Sequence, residues 1–234
     1  MVDTFWDGVG RELAHELEPL FYVNQTNVLE AAVKILALEA KKAGASITPN
    51  HVVLSELHRS ATLFLLSSAG TYRTSNVAVG NATKVIHQPP PFEEVDSLMQ
   101  DFFLQLHHIW NVTDPLSVAG FVLWRINWVH PFKNGNGRTA RAFSYLCLCL
   151  KLGFWLPGDI TVIDLITDER APYYDALKKL DNSFAAGSVD LSPMADYLGR
   201  LLEIQLADFS PAEQVAGSGA AADDASDKRD ASPA

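Results

Sequence analysis

From Leu29 onward the chain repeats large apolar side chains three and four residues apart, the spacing of one face of an α-helix. Leu29, Ala32, Val33 and Leu36 make the first stripe, and Gly44 is placed to end it. Pro49 opens a second, with Val53, Leu54 and Leu57 on one face. Val95, Leu98, Phe102 and Leu106 form a third after Pro89-Pro90-Pro91. Asp114-Pro115 joins an N-cap to a proline at the first helical position, and Leu116, Ala119, Leu123 and Ile126 continue inward. Arg138 to Leu152 reads as one helix closed by Gly153. Tyr173, Leu177 and Leu180 share a face entered at Pro172, and Ser192-Pro193 repeats the cap-and-proline signal before Tyr197, Leu198, Leu201 and Ile204.

Two stretches depart from this period. In Tyr72 to His87, Val77 and Val79 alternate with small residues, Gly80-Asn81 is a turn signal and Val85-Ile86 follows, which predicts one short β-hairpin. A lone hairpin is marginal in water, so it must lean on helices, and its edges stay free to pair. After about Ala216 the chain has no large apolar residue and cannot offset its ordering entropy. The expected organisation is an N-terminal accessory or dimer-forming helix over 1–24, a helical domain over 25–209 and a disordered tail over 210–234. The fold class is all-α, a helical bundle with one hairpin.

Charge narrows the function. Eighteen Lys and Arg against 28 Asp and Glu leave a formal net charge of −10 over 234 residues. A nucleic-acid binder ordinarily carries a basic surface, so no nucleic-acid partner is expected. No apolar run reaches the length of a membrane span, and the first residues lack the basic and apolar regions of a secretory signal; no membrane partner and a cytoplasmic location are expected. Cys147 and Cys149 lie two apart in an apolar stretch, poorly placed to share a metal or a bridge, and read as buried free thiols.

The candidate chemistry sits in His130-Pro-Phe-Lys-Asn-Gly-Asn-Gly-Arg-Thr-Ala-Arg141. Gly135 and Gly137 open backbone angles closed to other residues, so successive N–H groups can converge into an anion nest. The next helix starts near Arg138 and turns its positive end to the same point. Arg138 and Arg141 share a face of its first turn. Together these make a site for a polyphosphate. His130 stands at its entry as a side chain able to take a proton near neutral pH, and Phe132 is expected to bury its ring and pin the loop. No Gly-x-x-x-x-Gly-Lys-Ser/Thr occurs, which removes the P-loop reading.

This stretch resembles the signature of Fic-domain proteins, His-x-Phe-x-(Asp/Glu)-Gly-Asn-Gly-Arg-x-x-Arg, at every position but the fifth. Glu56-Leu-His-Arg59, Ala69-Gly-Thr-Tyr-Arg-Thr74 and Val77-Ala-Val-Gly80 resemble the helix and flap that precede it, and Tyr173-Tyr174 fits downstream, so the likeness runs over roughly residues 25–205. The resemblance implies a Fic-like helical bundle with a flap, and transfer of AMP from ATP to a Ser, Thr or Tyr hydroxyl of a protein. His130 would be the general base. Asn134, Gly135, Asn136 and Gly137 would hold the α- and β-phosphates, with Arg138, Thr139, Ala140 and Arg141 opening the helix behind them and the two arginines neutralising charge. Val77, Ala78, Val79, Gly80, Tyr173 and Tyr174 would flank the nucleotide. The flap edge would hold the target, another protein or this protein itself, as an added strand.

Asn134 stands where the family has the carboxylate that binds Mg²⁺ or Mn²⁺. A hard cation favours charged oxygens, so either the amide suffices because phosphates and water supply most ligands, or the protein is slow or only binds nucleotide. Thr26-Asn-Val-Leu-Glu30-Ala31 has the spacing of the family's inhibitory helix but ends in Ala and lies too near Glu56. Thr26 is expected to be a cap and Glu30 an ordinary exposed residue, and restraint would fall to an antitoxin-like partner or be absent. A Doc-like protein kinase is a rival, disfavoured by Gly135 and Gly137 where that branch has Ala and Lys. A nucleotide-binding pseudoenzyme, or transfer of UMP or phosphocholine, stays open.

Overall fold

In the computed structural model, which describes residues 6–81, 83–207 and 209, the stripes fold as eight α-helices with one short hairpin at their edge. The first, α1 (Arg11–Ala43), runs unbroken for 33 residues and ends where Gly44, at φ 61°, donates its N–H to Ala40 O and Lys41 O. The expected junction at 24/25 lies inside it. Pro19 sits on the exposed side of α1, where the carbonyl its missing N–H leaves without a helical donor is open to solvent. Thr26 is not a cap: it lies mid-helix and its hydroxyl donates to Tyr22 O at 3.1 Å, a back-bond that threonine makes when a helix runs through it. Glu30 pairs with Lys34 on the outer face, as an ordinary surface residue does.

Asn50, just after Pro49, caps α2 (His51–Thr62), its side chain accepting from Val52 N and Val53 N. A 3₁₀ turn at Phe92–Glu94 leads into α3 (Val95–Trp110). Asp114 caps α4 (Pro115–Val129) by accepting from Ser117 N at 2.9 Å. Then come α5 (Asn136–Leu152), α6 (Val162–Asp168), α7 (Arg170–Ala185) and α8 (Ser192–Ala207). At seven residues α6 is too short for a periodic signal; a capping box between Thr161 and Asp164 fixes its start.

At the centre α4 packs on α5, and both are buried on nearly every side. Leu29, Val33, Leu54, Leu57, Phe102, Trp110, Met194 and Leu198 close around them from α1, α2, α3 and α8. Each fully buried side chain of this size contributes about 1.5–3 kcal/mol. Trp124 belongs to this core, with its indole N–H donated to Asp181 at 2.8 Å. Cys147 and Cys149 are buried free thiols, and burial raises the pKa of both. The buried pair α4–α5 is joined by the segment 130–135, so the candidate site is anchored at both ends in the most rigid part of the fold.

The hairpin pairs β1 (Val79–Asn81) with β2 (Lys84–His87), with Val79 opposite His87 and Asn81 opposite Lys84. The turn therefore falls after Asn81, later than the Gly80-Asn81 signal, and Val77 and Ala78 precede the strand. A Cβ on Gly80 would lie 2.2 Å from Lys84 O, so the bulge there requires glycine. Val85 and Ile86 are 58% and 71% exposed, and the hairpin is tied to the body where His87 Nε2 donates to Trp128 O at 2.8 Å. Among the described residues no helix is long and apolar enough to cross a membrane. The expected tail over 210–234 lies outside the described residues.

Candidate active site

His130 caps α4 in the left-handed region, at φ 53° and ψ 58°, with its N–H donated to Ile126 O. Such a conformation costs a non-glycine residue about 1–3 kcal/mol and persists where neighbours impose it. Arg73 imposes it. This buried residue donates from Nε to His130 O at 2.8 Å, and from its terminal nitrogens to Pro90 O at 2.6 Å, Ser75 O at 3.2 Å and Val129 O at 3.4 Å. Its own N–H donates to Pro131 O at 2.8 Å. The imidazole is fixed as well. Nδ1 faces Asn127 O at 3.3 Å, and a carbonyl only accepts, so the proton sits on Nδ1 and Nε2 presents the lone pair. Burial lowers the His130 pKa to about 4, with His87 and Arg73 pushing the same way, so the ring is neutral at pH 7.

The loop after it closes on itself. Asn136 accepts from Phe132 N and donates to Phe132 O, both at 2.8 Å, and is buried. Its side chain is a brace, and its backbone N–H belongs to the first turn of α5. Phe132 is fully buried, as expected, and lies flat on His58 with centroids 3.8 Å apart. Gly135 is left-handed at φ 77°, and a Cβ there would lie 2.9 Å from Thr62 Cγ2. Asn134 Oδ1 accepts from Gly135 N at 2.7 Å.

Arg138 and Arg141 share the first turn of α5 but not the same surroundings. Arg138 pairs with Glu18 of α1 at 3.1 Å and donates to Ala61 O at 3.3 Å, and Trp6 donates its indole N–H to the same carboxylate at 2.6 Å. Lys133 pairs with Asp7 at 2.6 Å, which helps hold that carboxyl down to about 2. Arg141 instead lies over Gly137: a Cβ there would meet its NH1 at 3.5 Å and Asn127 Oδ1 at 3.8 Å. Arg141 Nε is buried with no hydrogen-bond partner. A buried unpaired donor is costly, and a phosphate oxygen would satisfy it.

The structure thus brings His130, Asn134, Gly135, Gly137, Arg138 and Arg141 to one place. Thr139 and Ala140 are fully buried within α5. Tyr173 is buried behind the loop, its hydroxyl accepting from Asn127 at 2.9 Å, while Tyr174 is 56% exposed. Val77 to Gly80 lie on the hairpin limb that His87 ties to the end of α4. Three residues without an assigned role in the sequence reading belong to the site: Arg73, His58 and Asn127. Arg73 and His58 lie in segments of ordinary polarity, and only Gly70, left-handed at φ 83° beside them, marks a tight backbone.

A resident metal does not fit this donor set. Asn134 supplies one neutral oxygen already engaged by a loop N–H, and the described residues contain no group of three His, Cys, Asp or Glu able to hold a cation. What the arrangement can do with its own atoms is bind a polyanion and accept a proton beside it.

Residues 48–148 match the model of the Fic/DOC family. The Protein adenylyltransferase Fic of Nematostella vectensis is 25% identical over 187 residues, covering 77% of this chain and 38% of that protein. The Protein adenylyltransferase fic-1 of Caenorhabditis elegans is 31% identical over 139 residues, covering 59% of this chain and 24% of that protein. The chain thus spans between a quarter and two-fifths of the length of these curated relatives. Among solved structures, Fic-1 from C. elegans superposes with a TM-score of 0.64 at 22% identity, covering 88% of this chain and 54% of that one. A Fic domain containing signaling protein from Bacteroides thetaiotaomicron gives 0.58 at 19% identity, over 79% and 69% of the two chains. These likenesses establish the fold.

Proposed function

We propose that the chain is a member of the Fic/DOC family, whose model its residues 48–148 match, and that it is a protein adenylyltransferase, moving AMP from ATP to a Ser, Thr or Tyr hydroxyl of a protein. In this reading His130 Nε2 takes the hydroxyl proton as the oxygen attacks the α-phosphorus. The bond from that phosphorus to the bridging oxygen of the β-phosphate breaks, and pyrophosphate leaves. Gly135 N–H and the first turn of α5 hold phosphate oxygens, and Arg138 and Arg141 offset their charge. The target lies along the hairpin edge, bonded through its main chain.

The observation that carries this reading is the pairing of an imidazole, its Nδ1 proton held by Asn127 O, with a glycine-opened helix start and an unpartnered buried Arg141 nitrogen. A free-site pKa of about 4 makes His130 a weak base. Bound phosphates place negative charge beside it and raise that value, so its basicity grows when substrate is present.

The test is an intact mass of the protein and of candidate targets after incubation with ATP. A gain of one adenylyl group supports transfer, and a phosphoryl gain would move the reading to a kinase. His130→Ala should keep ATP affinity and lower transfer by about 10²–10⁴-fold; undiminished labelling removes His130 from the mechanism. A second reading, a domain that binds nucleotide without transfer, is favoured by Asn134. Tight ATP binding with no mass gain would select it.

A further inference from the structure

His58 is fully buried on α2, directly beneath the phosphate loop. Gly70 N–H donates to its Nδ1 at 2.8 Å, so Nδ1 is unprotonated and the single proton of the neutral ring sits on Nε2. That proton is donated to Asn134 O at 3.0 Å. The ring also stacks on Phe132 with planes 6° apart, and a Cβ on Gly135 would come within 3.5 Å of Nε2. His58 and Thr62, one helical turn apart, therefore form the floor on which the loop rests.

A trans peptide points its C=O and its N–H in opposite directions. With the Asn134 carbonyl drawn down onto His58, the Gly135 N–H must point up, away from α2. There it meets Asn134 Oδ1 at 2.7 Å, a neutral oxygen standing where an anionic one would make the stronger bond. We propose that His58 is a positioning residue for nucleotide binding, setting the 134–135 peptide through the Asn134 carbonyl so that the Gly135 N–H is presented to a phosphate oxygen. This deepens the adenylyltransferase reading and rests on it for the ligand, a nucleoside triphosphate.

Three variants of the full chain test it. His58→Phe keeps a flat ring over Phe132 and removes both ring hydrogen bonds. His58→Gln places an amide N–H at the height of Nε2 and restores the donor to Asn134. His58→Asn reaches only as far as Nδ1 and restores the acceptor for Gly70. ATP affinity by calorimetry, Tm, and the Gly135 amide resonance with and without ATP are measured for each. Affinity should fall about 10-fold in His58→Phe, the scale of one net hydrogen bond. Most of it should return in His58→Gln and not in His58→Asn, and the ATP-induced shift of the Gly135 amide should follow the same order. If His58→Phe does not fold, the Gln and Asn pair decides. The proposal is overturned if affinity in the folded variants equals the wild type, or if it tracks Tm and the two amide variants behave alike. A wild type that does not bind ATP overturns the nucleotide reading as well, and shows itself as an unshifted Gly135 amide before any variant is made.

Discussion

Replacing Arg73 by Lys separates the fold from the chemistry. The guanidinium is 4% exposed and reaches four carbonyls, the shortest two being Pro90 O at 2.6 Å and His130 O at 2.8 Å. Those two are bonded by different nitrogens of the fork, and a single ammonium nitrogen cannot serve both sides. A hydrogen bond to a charged group is worth about 1.5–3 kcal/mol net. Losing one or two, with some desolvation cost recovered, should destabilise the protein by about 2–4 kcal/mol. At roughly 2–4 °C per kcal/mol for a chain of this size, Tm should drop by about 5–15 °C. The catalytic effect is distinct. Without the bond from Nε, only the main-chain bonds of His130 N to Ile126 O and of residue 73 N to Pro131 O oppose the left-handed strain at His130, and the imidazole relaxes from its place. A displacement of about 1 Å costs about 10²-fold. Single-turnover transfer at saturating ATP should therefore fall by that order at a temperature where the variant is folded. ATP affinity should stay within about threefold, because His58 holds the other end of the loop. Transfer at the wild-type rate with a lowered Tm refutes the reasoning and leaves Arg73 a fold element alone.

Stability should also depend on pH through His58, whose pKa burial lowers from 6.5 to about 4. The unfolded chain binds this proton below pH 6.5 and the folded one does not, so the contribution is complete above 6.5 and lost as pH falls through about 4. The shift corresponds to about 3 kcal/mol in all, of which about 2 kcal/mol disappears by pH 5; His130, lowered to about 4 as well, adds a similar amount, so urea unfolding at pH 7.5, 6 and 5 reads the sum and His58→Gln should remove about half of it, while a flat profile contradicts neutral buried rings. Glu18→Gln should raise ATP affinity about two- to fivefold, more at low salt, because the carboxylate and the phosphates compete for Arg138 at a partly exposed site; unchanged affinity would mean the pair opens without cost. Asn134→Asp supplies the charged oxygen a hard cation prefers, so its ATP affinity should depend on Mg²⁺ more steeply than the wild type's in titrations with and without EDTA. Equal dependence places Asn134 away from any metal.

The helices were legible because burial on one face leaves a period in the sequence. Leu54 and Leu57, Phe102 and Leu106, and Leu198 and Leu201 sit where those stripes put them. The loop was legible because two glycines and two arginines at fixed spacing have few other uses. What escaped was whatever depends on partners far along the chain. Arg73 is one polar residue in a polar stretch until its carbonyl partners at 90, 129 and 130 are known. The continuity of α1 was hidden by Pro19, a breaker in a buried helix but tolerable on a wet face. Tyr173, read beside Tyr174 as a wall of the site, is turned inward by a bond from Asn127, and no local pattern distinguishes the two rings.

On the adenylyltransferase reading, the charges of the site account for how an acidic protein would take an acidic substrate. Of a net −10, the carboxylates nearest the loop are committed: Glu18 to Arg138 and Asp7 to Lys133. The hydrogen-bond partners of Arg73 are neutral carbonyls, and Arg141 Nε has none, so positive charge remains uncompensated there. That charge does two things. Through Arg73 it adds to the lowering of the His130 pKa that burial chiefly causes, and it would attract a small polyanion that can reach into the loop. Once phosphates occupy the loop they neutralise the same charge, and the imidazole then becomes a stronger base. On the adenylyltransferase reading, binding and activation would in this way be one electrostatic event.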